Sequence, residues 1–299
     1  MQPRVFDFAV LAIGICAVST AAVLIREADA PSLVIAASRL GLSSAPLLLI
    51  AASRRQVPLS NGRMLLLSAI AGVLMALHFG FWIASLKDTS VITSVALVAS
   101  QPLFVALASG PILGERPSRA IWLGLALAIA GALVMVVEDI GESSSTLTGD
   151  LFALLGAVFA AGYILIGRSV RTHGAGWSAY ISVAYPVAAL LLIAGVLVTD
   201  DSFSGYSTKT YVMLVLLALV PQLIGHTALN RSLGYLPAVT VAIAILGEPV
   251  GATILAALLL DENPTLPETA GGMLLLAGVY LGVRASVRTP ADVATDTDG

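Results

Sequence analysis

Apolar and polar residues occur in long blocks along this chain rather than in alternation. Mainly apolar runs, each close to the ~20 residues that cross a bilayer as a helix, are separated by short stretches holding Pro, Gly and charge. The pattern predicts ten transmembrane helices, over residues 5–25, 33–53, 64–86, 89–110, 119–137, 150–169, 175–198, 210–231, 235–259 and 268–285. A charge well inside a span occurs at Arg39 in the second and at Glu248 in the ninth. The first run has the look of a signal peptide. It reads as a retained helix, because it matches the helix opening the second half and more spans follow.

Loop charge tests the span count and orients it. With the N-terminus in the cytoplasm, inside segments hold Arg4, Arg54, Arg55, Arg63, Arg116, Arg119, Arg168, Arg171, Arg231, Arg284 and Arg288. Outside segments hold Arg26, Lys87 and Lys209, beside the acidic Glu138, Asp139, Glu142, Asp200, Asp201, Asp261 and Glu262. This positive-inside bias puts both termini in the cytoplasm.

The pattern also repeats. Leu86, Thr93, Pro102, Leu113, Glu115, Pro117, Gly124, Leu127, Ala130 and Gly131 recur 147 positions later as Leu233, Thr240, Pro249, Leu260, Glu262, Pro264, Gly271, Leu274, Ala277 and Gly278. Residues 1–146 and 147–299 therefore read as two five-helix repeats, the second followed by a short cytoplasmic tail. Five spans is an odd number, so the second copy enters the membrane from the opposite side. An inverted repeat is the architecture of alternating-access carriers.

Composition narrows this further. At 58% hydrophobic and 11% charged, the chain lies far from a soluble domain, in which about a quarter of residues are charged. A net charge of −3 argues against a nucleic-acid partner. The single cysteine, Cys16, has no companion for a disulfide or a metal cluster.

On these residues the chain resembles the drug/metabolite transporter superfamily and, within it, the EamA-like carriers. The likeness is strongest at the end of the fourth span, SQPLFVALASGPILGERPS, and at its echo GEPVGATILAALLLDENPT in the ninth. The family pattern is a proline-containing helix ending in Gly-Glu, and the second copy departs from it with Asp261-Glu262. The overall look is closest to YddG-type exporters of aromatic and other neutral amino acids. Such a resemblance implies export, and the acidic outer loops and positive-inside bias suit a bacterial inner membrane. The small-molecule carrier is expected to work as a monomer and without a cofactor.

Polar groups at membrane depth are costly and usually face a cavity or a partner. His78 and Trp82 lie four apart in the third span, as do His226 and Asn230 in the eighth, so each pair shares a helix face. Gln101 and Glu248 are matched positions, each near mid-helix and just before a proline that frees an upstream carbonyl. Glu248 can receive a substrate ammonium or a coupling proton, or serve a neighbouring helix. Tyr163 and Tyr185 add aromatic walls suited to flat or aliphatic side chains. These eight residues form the expected substrate cavity. Arg39 either snorkels to the interface, anchors a carboxylate or partners an acid of the outer face. Pro102, Pro249, Gly124, Gly131, Gly271 and Gly278 serve as hinge or packing positions. Glu115 and Glu262 fix helix ends.

Two imidazoles, one carboxylate and several aromatics suit a small zwitterion, and the cluster of Lys and Arg expected for a phosphorylated substrate is missing from the spans. The runner-up is a cationic drug or another small polar metabolite bound at Glu248. No metal-ligand cluster, phosphate loop or nucleophile constellation suggests an enzyme. Direction of transport and proton coupling are not written in the helices.

Overall fold

The computed structural model describes residues 5–53, 61–88, 94, 97–135, 147–259 and 264–287, and helices are the regular structure among them. They are α1 Val5–Val18, α2 Ala21–Glu27, α3 Ser32–Ser53, α4 Gly62–Asp88, α5 Gln101–Leu113, α6 Arg119–Met135, α7 Leu147–Thr172, α8 Trp177–Val198, α9 Thr208–Leu217, α10 Thr227–Ser232, α11 Ala238–Ile245, α12 Gly247–Leu259 and α13 Leu266–Val287, with a π-helical segment Ala218–His226 between α9 and α10. Eight continuous stretches of the described residues are long and apolar enough to cross a membrane, and α5 and α6 are shorter apolar helices. Leucines such as Leu49, Leu66, Leu107, Leu123 and Leu190 stand exposed on the outside, the surface expected of a polytopic membrane protein.

Three of the long stretches are interrupted, each for a local reason. Between α1 and α2, Ser19 and Thr20 turn their hydroxyls onto the carbonyls of Ile15 and Ala17, both at 2.8 Å, which competes with the helical ladder. Pro221 lacks an N–H inside the eighth span, and the surrounding turn widens to π geometry. Before Pro249 the ladder breaks at Leu246, whose N–H reaches Ile243 O at 3.1 Å, and α12 restarts at Gly247. The fourth span shows a related feature, with its main helix starting at Gln101-Pro102. The earlier part of that predicted span, including Thr93, lies largely outside the described residues, as does Glu262.

Helices far apart in the sequence pack against one another. α6 crosses α13, α4 packs on α7 and α8, α3 on α8, and α1 on the π segment and α10. The α6–α13 crossing is closest at glycines. A Cβ on Gly124 would lie 2.9 Å from Gly278 O, and one on Gly271 would lie 2.6 Å from Gly131 O. Only residues without a side chain let two helix backbones approach so far.

Candidate functional site

Between these helices lies a cavity of about 100 Å³. It opens where backbones are broken: α1–α2, the end of α10, the start of α5 and the α11–α12 junction all contribute to its wall. Seven of the eight residues expected in a substrate cavity line it: His78, Trp82, Gln101, Tyr163, His226, Asn230 and Glu248. Tyr185 stands behind the wall. It is fully buried and its hydroxyl accepts from Asn230 Nδ2 at 3.3 Å. Pro102 and Pro249 also border the cavity, whereas the four glycines serve the α6–α13 crossing.

Most of the polar groups are held before any ligand arrives. Tyr163 donates to Asn230 Oδ1 at 2.6 Å, and Asn230 Nδ2 donates to His226 O at 2.7 Å. His78 Nδ1 lies 2.9 Å from Gly156 O. A carbonyl can only accept, so Nδ1 carries the proton and, in the neutral ring, Nε2 is the acceptor. The ring stacks on Trp82 with 6° between planes and a centroid separation of 5.9 Å. Gly156 is also where α7 meets Trp82, whose Cβ would sit 3.3 Å from a Cβ there.

Gln101 and Glu248 are differently placed from the mid-helix setting that the sequence suggests. The backbone breaks put each in the first turn of a new helix, α5 and α12. Pro102 and Pro249, next in the chain, have no N–H to give to the turn before.

Arg39 does not run to the interface. It is 1% exposed and lines the same cavity as Glu248. Its Nε donates to Gln222 Oε1 at 2.8 Å, and its guanidinium carbon stands 4.3 Å from the Phe79 ring centroid. Its Nη1, like Trp82 Nε1 and Gln101 Nε2, is buried with no hydrogen-bond partner. Each such orphan typically costs about 1–3 kcal/mol and calls for a functional explanation. Arg39 and Glu248, a base and an acid, line one cavity, yet no ion pair within 4.0 Å joins them among the described residues.

Past Leu233, at one end of the cavity, helix ends are tied by charge. Glu115 accepts from Arg168 Nε at 2.6 Å and from the Ala238 N–H, the first of α11, at 3.0 Å. Gly114 makes this possible. Its φ of +72° ends α5 in a left-handed turn and swings Glu115 toward α7 and α11. Arg168 Nη1 also reaches Leu233 O at 2.9 Å, and Arg231 pairs with Asp7 at 3.3 Å. Sequence reasoning treated Arg168 and Arg231 only as loop charge. It also passed over Gln222, whose signal was a lone amide beside Pro221 in an apolar span.

Residues 7–137 and 147–284 each match the model of the EamA-like transporter family. A "Probable amino-acid metabolite efflux pump" of Salmonella typhimurium is 27% identical over 262 residues, 85% of this chain and 86% of that protein. Its Escherichia coli namesake is also 27% identical, over 265 residues. The "Pseudopaline exporter CntI" of Pseudomonas aeruginosa is 30% identical over 75% of this chain and 74% of its own length. A solved crystal structure superposes with a TM-score of 0.79 at 18% identity, covering 96% of this chain and all of that one, which speaks to fold alone.

Proposed function

The chain belongs to the EamA-like transporter family, and from that premise we propose that it exports small neutral or aromatic amino acids through the central cavity. The observation that carries this reading is the wall that holds both Arg39 and Glu248, unpaired with each other, beside Trp82, Tyr163 and two histidines. An α-carboxylate fits the guanidinium, an ammonium fits the carboxylate, and a side chain fits the aromatic wall. The efflux-pump names of two relatives point the same way. A cationic drug or another small polar metabolite is the alternative, with Glu248 as cation or proton site, and the buried arginine on the same wall disfavours the cation.

The mechanism belonging to this reading is alternating access by two inverted repeats, either facilitated or proton-coupled. The double family match supports the repeats. So does the crossing of α6 and α13, where Gly124 meets Gly278 and Gly131 meets Gly271. With Gly271 the counterpart of Gly124 and Gly278 that of Gly131, this reciprocal pairing is what an antiparallel pair about a two-fold axis requires. Two further counterparts touch directly. Met75 Sδ is 4.0 Å from Gln222 Nε2, and the Phe79 and His226 ring centroids are 5.4 Å apart. Residues related by a two-fold can touch only near its axis, so the axis runs beside the cavity. Both termini are assigned to the cytoplasm of a bacterial inner-membrane monomer, and the ion pairs past Leu233 then lie on the cytoplasmic side.

The test is counterflow in proteoliposomes with phenylalanine, methionine, threonine, lysine, glutamate, pseudopaline and a quaternary-ammonium compound, with and without a pH gradient. Saturable movement of the neutral amino acids is the expected result, and dependence on the gradient separates coupling from facilitation. Movement of the quaternary ammonium alone would overturn the reading.

A further inference from the structure

Gln222 stands off the cavity wall, fully buried, one residue after Pro221 in the π-helical segment. Its Oε1 is 2.8 Å from Arg39 Nε, while the Phe79 ring covers the guanidinium at 4.3 Å. A planar guanidinium held at Nε and against a ring face is fixed in orientation, leaving Nη1 for a ligand. Nη1 indeed has no protein partner. An amide in this position holds the arginine without neutralising it. A glutamate would satisfy the charge from behind and remove the attraction for an incoming acid.

We infer that Gln222 is a positioning residue that presents Arg39 to the substrate carboxylate, and so sets the selectivity of the cavity for acids over amines. The residue at the equivalent place in the first repeat is Met75, which accepts only weakly. The first repeat supplies the arginine and the second supplies its holder, so the carboxylate end of the site is defined in one direction only. This inference rests on the amino-acid reading of the cavity.

The experiment uses full-length protein in proteoliposomes and follows phenylalanine uptake, with 3-phenylpropionate and phenethylamine as competitors. Gln222→Met removes the acceptor at similar size, and Gln222→Glu supplies the neutralising charge. In both variants KM for phenylalanine should rise about tenfold while the maximal rate stays within about twofold. Inhibition by 3-phenylpropionate should weaken in step with it, and inhibition by phenethylamine should stay put. A merely structural role would move both competitors by one factor, and that result overturns the inference, as does no shift in either. If the buried charge of Gln222→Glu prevents folding, Gln222→Met decides alone. Absence of saturable amino-acid transport by the unaltered protein would instead overturn the amino-acid reading itself. Normal transport with unmoved selectivity in Gln222→Met overturns only the role of Gln222.

Discussion

Arg39 and Glu248 are ionisable groups in spans where such groups are rare and costly. No ion pair within 4.0 Å joins them across the cavity, and Arg39 Nη1 has no protein partner. Glu248→Gln keeps the shape while removing the acid and turning one acceptor into a donor. We expect insertion and detergent behaviour to be preserved while transport falls about tenfold or more, the scale of one charged hydrogen bond. Uptake kinetics like those of the unaltered protein would remove Glu248 from the mechanism. Trp82 is 7% exposed, stacks on His78 and lines the cavity. Trp82→Ala should therefore weaken phenylalanine and methionine more than threonine, because it withdraws apolar wall that only a bulky side chain uses. KM values across that size series measure the effect, and equal losses would argue against contact.

At the scale of elements, glycine separates packing from freedom. Gly131 on α6 sits against Gly271 O, with 2.6 Å to a would-be Cβ, whereas a Cβ on Gly41 of α3 would meet nothing within 4 Å. Gly131→Leu should force α6 away from α13 and abolish monodisperse, heat-resistant protein. Gly41→Ala should leave thermal stability unchanged or slightly higher, since alanine is the better helix former by about 1 kcal/mol. Fluorescence-detected size exclusion after a temperature series distinguishes the two. The broken elements are a second matter. Three of the polar side chains in the cavity wall come from such places: His226 at the end of the π segment, Gln101 at the start of α5 and Glu248 just after the α11–α12 junction. Irregular backbone at membrane depth is tolerated only where protein or a cavity surrounds it.

For the whole molecule, the proposed topology makes a direct prediction. Ser202 and His173 lie exposed in loops at the two ends of α8. With Cys16→Ser as background, Ser202→Cys should react with a membrane-impermeant thiol reagent in intact cells. His173→Cys should react only after permeabilisation. The reverse pattern would turn the molecule over and invalidate the cytoplasmic assignment of the Glu115–Arg168 and Asp7–Arg231 pairs. The proposed two-fold relation also implies a chemically lopsided cavity. Around the axis, Gln222 and His226 of the second half face Met75 and Phe79 of the first. Under the proposed duplication, two equivalent halves would form the frame, and binding chemistry would be divided unequally between them.

The apolar blocks determined the helical, membrane-embedded class, because a bilayer leaves a backbone few ways to satisfy its hydrogen bonds. The recurrence at a fixed offset identified Gln101 with Glu248 and the glycines that bring α6 to α13, since close helix approach needs particular residues at particular spacings. Tertiary structure decided what lay outside any local pattern. It turned Arg39 inward onto Gln222, 183 positions away. It set Tyr185 behind Asn230 rather than in the wall, and moved Gln101 and Glu248 from mid-helix to helix starts. Periodicity records which face of a helix is polar, but the partner that a buried guanidinium or amide finds depends on which helices cross and where the backbone breaks.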